Sequence, residues 1–204
     1  MYRLPLLVGL LIILNGCKNE SKTYKSEEQD KIIKTNEFET SEALKLNEMG
    51  IEYGRRGNNV KANEYFLEAL EIEPNNPAIL SNLGLNWYIV YDYEKAIDYY
   101  NQSLKASDST YHTAAVNLGL TYFYNKQFHR GLDILNYVIE QTDDKEILST
   151  AYVHRALNYL GKNECDKAED DLNYIIDNFR SIGNTDFHIK DLSEKIKSCF
   201  ENVP

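Results

Sequence analysis

Leu46-Asn47-Glu48-Met49-Gly50-Ile51-Glu52-Tyr53 sets a glycine three residues before a large aromatic, and Ala62 follows twelve residues after that glycine. The arrangement returns as Gly84, Trp87 and Ala96, then as Gly119, Tyr122 and Gly131, and finally as Ala156, Tyr159 and Ala168; the leading small residues are 34, 35 and 37 apart. A recurrence of this length signals a stacked repeat array, because each unit is too small to bury its apolar face alone and must lean on its neighbours. Mid-helix glycine costs about 1 kcal/mol relative to alanine. Its return at matched positions therefore predicts a close approach of paired helices, the glycine of each first helix facing the small residue of the second.

Working outward, apolar positions recur at helical spacing from Thr40 and Ser41, good N-cap residues, to the end of the chain. Four units fall near 43–76, 77–110, 112–145 and 149–182, each two helices of about 14 residues. Gly57-Asn58-Asn59, Asp92, Asn125 and Gly161-Lys162-Asn163 are the breaks between paired helices, and Pro74 and Pro77 mark the first boundary between units. In residues 183–204, Asn184, Thr185 and Asp186 can cap a last helix with Ile189, Leu192, Ile196 and Phe200 on one stripe. Lys190, Glu194 and Lys197 lie opposite, the polar outer face a terminal unit needs.

The pattern resembles the tetratricopeptide repeat. In the first unit Leu46, Met49, Gly50, Tyr53, Ala62, Phe66, Ala69 and Pro74 match; the second keeps Leu80, Leu83, Gly84, Ala96 and Tyr100, with Trp87 for the usual tyrosine. Leu118, Gly119 and Tyr122 carry the third. The fourth departs most, with Arg155 and Ala156 in place of leucine and glycine, while Tyr159, Ala168 and Leu172 remain. The resemblance implies an all-α fold, a right-handed α-solenoid of about four helix-turn-helix units over residues 41–182 plus a C-terminal capping helix.

The 204 residues, 43% of them hydrophobic, suffice for one sizeable core, and the formal charge of −10 leaves no basic patch for nucleic acid. Residues 1–16 read as a leader: Arg3 near the start, an apolar run from Leu4 to Leu14, then Gly16 before Cys17. Eleven apolar residues rise only about 16 Å as a helix, half a bilayer core, which suits a signal h-region and not a span. Leu14-Asn15-Gly16-Cys17 resembles a bacterial lipoprotein box, which implies cleavage before Cys17 and acylation of that cysteine; an ordinary secretory signal is the alternative. Arg3 is the one charge removed, so the mature chain would carry −11. Lys18-Asn19-Glu20 has no aspartate where inner-membrane retention would need one, which favours the outer membrane and leaves its periplasmic or surface face open. Residues 17–40 then form a polar tether, with Ile32, Ile33 and Phe38 as candidates for a short helix docking on the first unit.

In tetratricopeptide arrays the first helices line a concave groove. The resemblance therefore directs attention to the residues after the leading small positions, Ile51, Leu85, Leu120 and Leu157, extended by Tyr88, Phe123, Val116 and Val153. Asn82 and Asn117 fall where such arrays place an asparagine that bonds a ligand backbone. This row suits an apolar or aromatic protein segment, or packs against the adjacent unit. Glu48 and His154 stand where a terminal-carboxylate clamp would need other residues. Cys165 and Cys199 each lie 17 residues from a turn near 182, level with one another in a hairpin, so they are either bridged or two separate thiols. His112, His129, His154 and His188 lack metal-ligand spacing, and no phosphate loop or nucleophile elbow occurs, so neither catalysis, metal nor cofactor is expected. The expectation is a non-catalytic module on the bacterial cell envelope, attached to the membrane by lipid alone and binding another envelope protein; a structural subunit of an envelope assembly or a homo-oligomer is the second reading.

Overall fold

Short side chains start most of the helices. Thr40 accepts from the Ala43 amide, Asn58 from Lys61, Asp92 from Lys95, Asn76 from Ala78 and Ile79, and Asp144 from Glu146 and Ile147. Each such cap satisfies an amide that the helix cannot, contributing about 1 kcal/mol. The computed structural model describes residues 37–183 and 185–202, which hold nine helices and no strand: α1 (Ser41–Arg55), α2 (Asn59–Ile72), α3 (Pro77–Ile89), α4 (Tyr93–Ala106), α5 (His112–Tyr124), α6 (Phe128–Gln141), α7 (Lys145–Gly161), α8 (Cys165–Phe179) and α9 (Thr185–Asn202). None of them is long and apolar enough to cross a membrane. The leader, Cys17 and the tether to residue 36 lie outside the described residues, as do Ile32 and Ile33.

Four turns between helices share one design. Gly57, Tyr91, Lys126 and Asn163 adopt φ of 76°, 65°, 58° and 58°, so the left-handed residue recurs with the same spacing as the small residues. The amide after each bonds the carbonyl of the unit's aromatic: Asn58 to Tyr53, Asp92 to Trp87, Gln127 to Tyr122 and Glu164 to Tyr159. This closes the first helix and reverses the chain within three residues. Only the first unit places glycine at the left-handed position.

Compactness divides the chain at Leu118/Gly119, within α5. In the N-terminal unit α1 packs on α2, α2 on α3, α3 on α4, and α1 also reaches α3. Ala62, Phe66, Ala69, Ile79 and Leu83 form its buried centre, with Phe38, Leu46, Ile51 and Tyr53 packed against them. Burying a side chain such as Phe66 or Leu83 contributes roughly 1.5–3 kcal/mol. Phe38 docks here without a helix, since residues 37–40 are irregular.

The glycines do not face the small residues expected of them. A Cβ on Gly50 would lie 2.5 Å from the Phe66 ring, and one on Gly84 would lie 2.8 Å from the Tyr100 ring. Each glycine is the floor of a slot filled by a large side chain sixteen residues on. Ala62 instead lies near Gly54, one turn further along α1.

In the C-terminal unit α6 packs on α7, α7 on α8, and α9 on both α8 and α7. Gly119 gives way to Leu135, at 2.5 Å from a built Cβ, and Gly131 receives the side chain of Asn158 from α7. The departures of the fourth repeat do not disturb its hairpin. Arg155 grips Asp171 on α8 through Nε (3.0 Å) and Nη2 (2.5 Å), and its Nη1 donates to Asn136 on α6. Helix α9 takes the place of a fifth first helix. Thr185 meets Ser149 at a separation of 36, and Leu192 then stands where the earlier units carry Gly or Ala. That leucine is buried within the C-terminal unit, and the Asp191–Lys195 ion pair lies on α9's outer side.

Candidate functional site

The row along the first helices is mostly enclosed. Asn82, Leu85, Tyr88, Val116 and Asn117 in the N-terminal unit are buried, as are Leu120, Val153 and Leu157 in the C-terminal unit. Ile51 and Phe123 are half-buried and form the accessible part of each unit's share. Ile51 leans on the core beneath it. Phe123 stacks edge-on with Tyr124 at 5.1 Å and near Phe128 at 6.0 Å. Asn82 donates to Asn47 Oδ1 at 2.8 Å, tying α3 to α1. His154, at the equivalent of Asn82 in the fourth unit, is buried. Polar groups so placed are held by the fold.

Beside this row, the structure gathers side chains that sequence reading did not single out. A cation eight residues after each unit's aromatic lies over its ring: Lys61 on Tyr53, Lys95 on Trp87, Arg130 on Tyr122 and Lys167 on Tyr159, at 5.1, 3.9, 4.5 and 5.4 Å. The signal was present as Lys or Arg directly before every small residue of the second helices. These contacts brace the turns, at about 0.5–1 kcal/mol each.

Glu73 is a second unforeseen element. Its carboxylate accepts from the Thr40 amide (2.7 Å), the Thr40 hydroxyl (2.9 Å) and Asn76 Nδ2 (2.7 Å), while Asn76 also donates to the Glu37 carbonyl. Burial works against the charge, but these hydrogen bonds outweigh it and hold the carboxyl below its ordinary pKa. The chain's entry into α1 is thus fastened to the α2–α3 turn.

In the C-terminal unit Cys165 and Cys199 are bridged, with Cα atoms 5.9 Å apart, which staples the start of α8 to the end of α9. Burial lowers the pKa of His188 on α9, and Asp191 offsets that in part. Burial also pushes Asp171 up, and Arg155 opposes it through a two-point contact. A groove of about 490 Å³ runs between α8 and α9, lined by Leu172, Ile196, Phe200, Glu169 and Lys197 among others. Among the described residues no three His, Cys, Asp or Glu side chains converge as a metal site.

No protein-family model matches the chain. Among curated proteins, it is 32% identical over 62 residues to anaphase-promoting complex subunit 3 of Schizosaccharomyces pombe, covering 30% of this chain and 9% of that protein. It is 35% identical over 57 residues to subunit 6 of the same complex from Dictyostelium discoideum, covering 28% and 7%. The match therefore spans less than a tenth of either relative. Among solved structures, the protein in a functional characterization of Pseudomonas aeruginosa PilF aligns with TM-score 0.65 at 19% identity over 78% of this chain and 73% of that one. A tetratricopeptide repeat protein from Parabacteroides merdae gives 0.64 at 20% over 86% and 69%, and MamA from Desulfovibrio magneticus gives 0.59 at 20% over 79% and 95%. These likenesses establish a tetratricopeptide-type all-α fold.

Proposed function

We propose that this chain is a non-catalytic protein-binding module of a bacterial cell envelope, acylated at Cys17 and held at the outer membrane by that lipid. The observation that carries the reading is the repetition of one helix hairpin with its first helices side by side, α1 against α3 and α7 against α9. Such a design spends its sequence on surface and not on a pocket for chemistry. The leader, with its apolar run and Leu14-Asn15-Gly16-Cys17, supports export and acylation. A lipid with two or more chains gives stable anchoring at about 0.8 kcal/mol per buried methylene.

The binding surface in this reading is the first-helix row, entered in each unit through its half-buried member, Ile51 or Phe123. The partner is an apolar or aromatic protein segment, with Asn82 and Asn117 as backbone-bonding groups. Photo-crosslinking residues at 51 and 123 of the intact chain in cells should capture the same envelope protein, and one at exposed Glu68 should not. Equal capture at all three positions, or none at 51 and 123, would remove the row from the proposal. Loss of a metabolic fatty-acid label in Cys17→Ser tests the anchor separately. A stable dimer in solution would favour the structural-subunit reading.

A further inference from the structure

Hairpins α1–α2 and α3–α4 present two opposite edges. At the edge made by the turns within the hairpins, Val60, Ile89, Val90 and Tyr91 are 71%, 38%, 40% and 63% exposed. They form one patch, because Asn86, one turn before Val90, donates to the carbonyl of Asn59 beside Val60. The other edge carries exposed Pro74, Asn75, Asp108 and Thr110, with Ile72 and the small Ala106 as exposed aliphatics. The apolar edge is also where basic residues gather: Arg55, Arg56, Lys61 and Lys95 offset Glu52, Asp92 and Glu94, although the chain as a whole carries −10. Its backbone is internally satisfied, Tyr91 donating to Tyr88 and Asp92 to Trp87, so little bare amide would enter an apolar medium.

We infer that this edge rests in the headgroup region of the membrane that holds the lipid, with Val60, Ile89, Val90 and Tyr91 as shallow inserts. The inference rests on acylation of Cys17. Aliphatic side chains beside a tyrosine, ringed by balanced charge, fit the interface of a bilayer. Chain length permits the arrangement. The fastening of Glu37 to Asn76 lies at the far end of α2, about 21 Å from the apolar edge. The 20 residues from Cys17 to Glu37 can extend to roughly 70 Å, enough to run from the bilayer up the hairpin. An anchor that already confines the chain to the surface lets a small patch act, since its insertion is intramolecular.

The chain has one tryptophan, which supplies the test. In a Trp87→Phe background, Tyr91→Trp places the indole at the apolar edge and Asn75→Trp places it at the polar one. The acylated mature proteins are reconstituted into vesicles of phosphatidylethanolamine and phosphatidylglycerol with brominated acyl chains. Bromine should quench the indole at 91 and spare the one at 75. Adding Val60→Ser and Val90→Ser should reduce the quenching at 91 roughly twofold or more, with an unchanged helical melting curve showing that the fold persists. Equal quenching at both positions, or none at 91, overturns the inference. Protection of the indole at 91 that grows with protein concentration and not with bromine assigns the patch to a second copy, and overturns it too. A mature product without fatty acid on Cys17, read by mass, removes the anchor and the inference together; acylated protein with an unquenched indole at 91 leaves the anchor standing and sinks the inference alone.

Discussion

Two glycines on neighbouring first helices, Gly84 on α3 and Gly54 on α1, should answer the same substitution with opposite signs. At Gly84 an added Cβ lies 2.8 Å from Cδ1 and Cε1 of Tyr100, a distance real Cβ atoms do not tolerate. The Tyr100 ring is 1% exposed and cannot step aside without opening a void. Alanine would gain about 1 kcal/mol of helix propensity, but overpacking of this kind costs roughly 1–3 kcal/mol, so Gly84→Ala should destabilise by up to about 2 kcal/mol. At Gly54 the added Cβ meets Ala62 Cβ at 3.7 Å and Asn86 Oδ1 at 4.0 Å, ordinary contacts. There only the propensity term acts, and Gly54→Ala should stabilise by up to about 1 kcal/mol, reduced because the site is near the end of α1. Thermal melts resolve both, at roughly 2–4 °C per kcal/mol for a chain of this size. A double-mutant cycle with Tyr100→Ala isolates the collision: the cost of Gly84→Ala should vanish once the ring is gone. If Gly84→Ala raises the melting temperature, or the cycle shows no coupling, the slot account of the glycines is wrong.

Three further outcomes follow from the geometry. Gln127 starts α6 without a side-chain cap, while Asn58 and Asp92 cap theirs at matching positions, so Gln127→Asp should stabilise by about 1 kcal/mol in denaturant titration. Reducing the Cys165–Cys199 bridge, or Cys199→Ser, reopens a loop with a sequence separation of 34 and should cost about 4 kcal/mol by the chain-entropy relation; amide exchange should show α9 loosening first. Because the Glu73 pKa is lowered on folding, its contribution is complete above the ordinary value of 4.5 and is lost as pH falls through the lower folded value; Glu73→Gln should flatten that acid limb and cost roughly 1–2 kcal/mol near neutrality.

The helices were legible because their signals are local. Asn58, Asn76 and Asp92 cap in the structure as short polar side chains do wherever a helix starts, and Gly57 occupies the left-handed turn that glycine advertises. The equivalent turns at Tyr91, Lys126 and Asn163 take the same conformation without glycine, so only the period could place them. What glycine meets was not legible. A missing side chain states that something comes close, and not whether it is an alanine backbone or the ring of Phe66 or Tyr100.

The candidate row shows the same limit in a sharper form. An aliphatic residue after each small position is what a groove needs and equally what a helix–helix seam needs, and burial, which separates the two, is a property of neighbours and not of the residue. Leu85 and Leu120 are enclosed, whereas Ile51 in their register is half open; Tyr88 is likewise enclosed and Phe123 in its register half open. Glu73 was invisible for the opposite reason. As a glutamate before a proline it reads as a solvated loop residue, and its role exists only because Thr40 and Asn76, 33 residues before and three after, converge on one carboxylate. A period in sequence reports how often the chain repeats a contact; a function resides in the positions where two repeats differ, and at Ile51 and Phe123 that difference is how much of the side chain remains open to a partner.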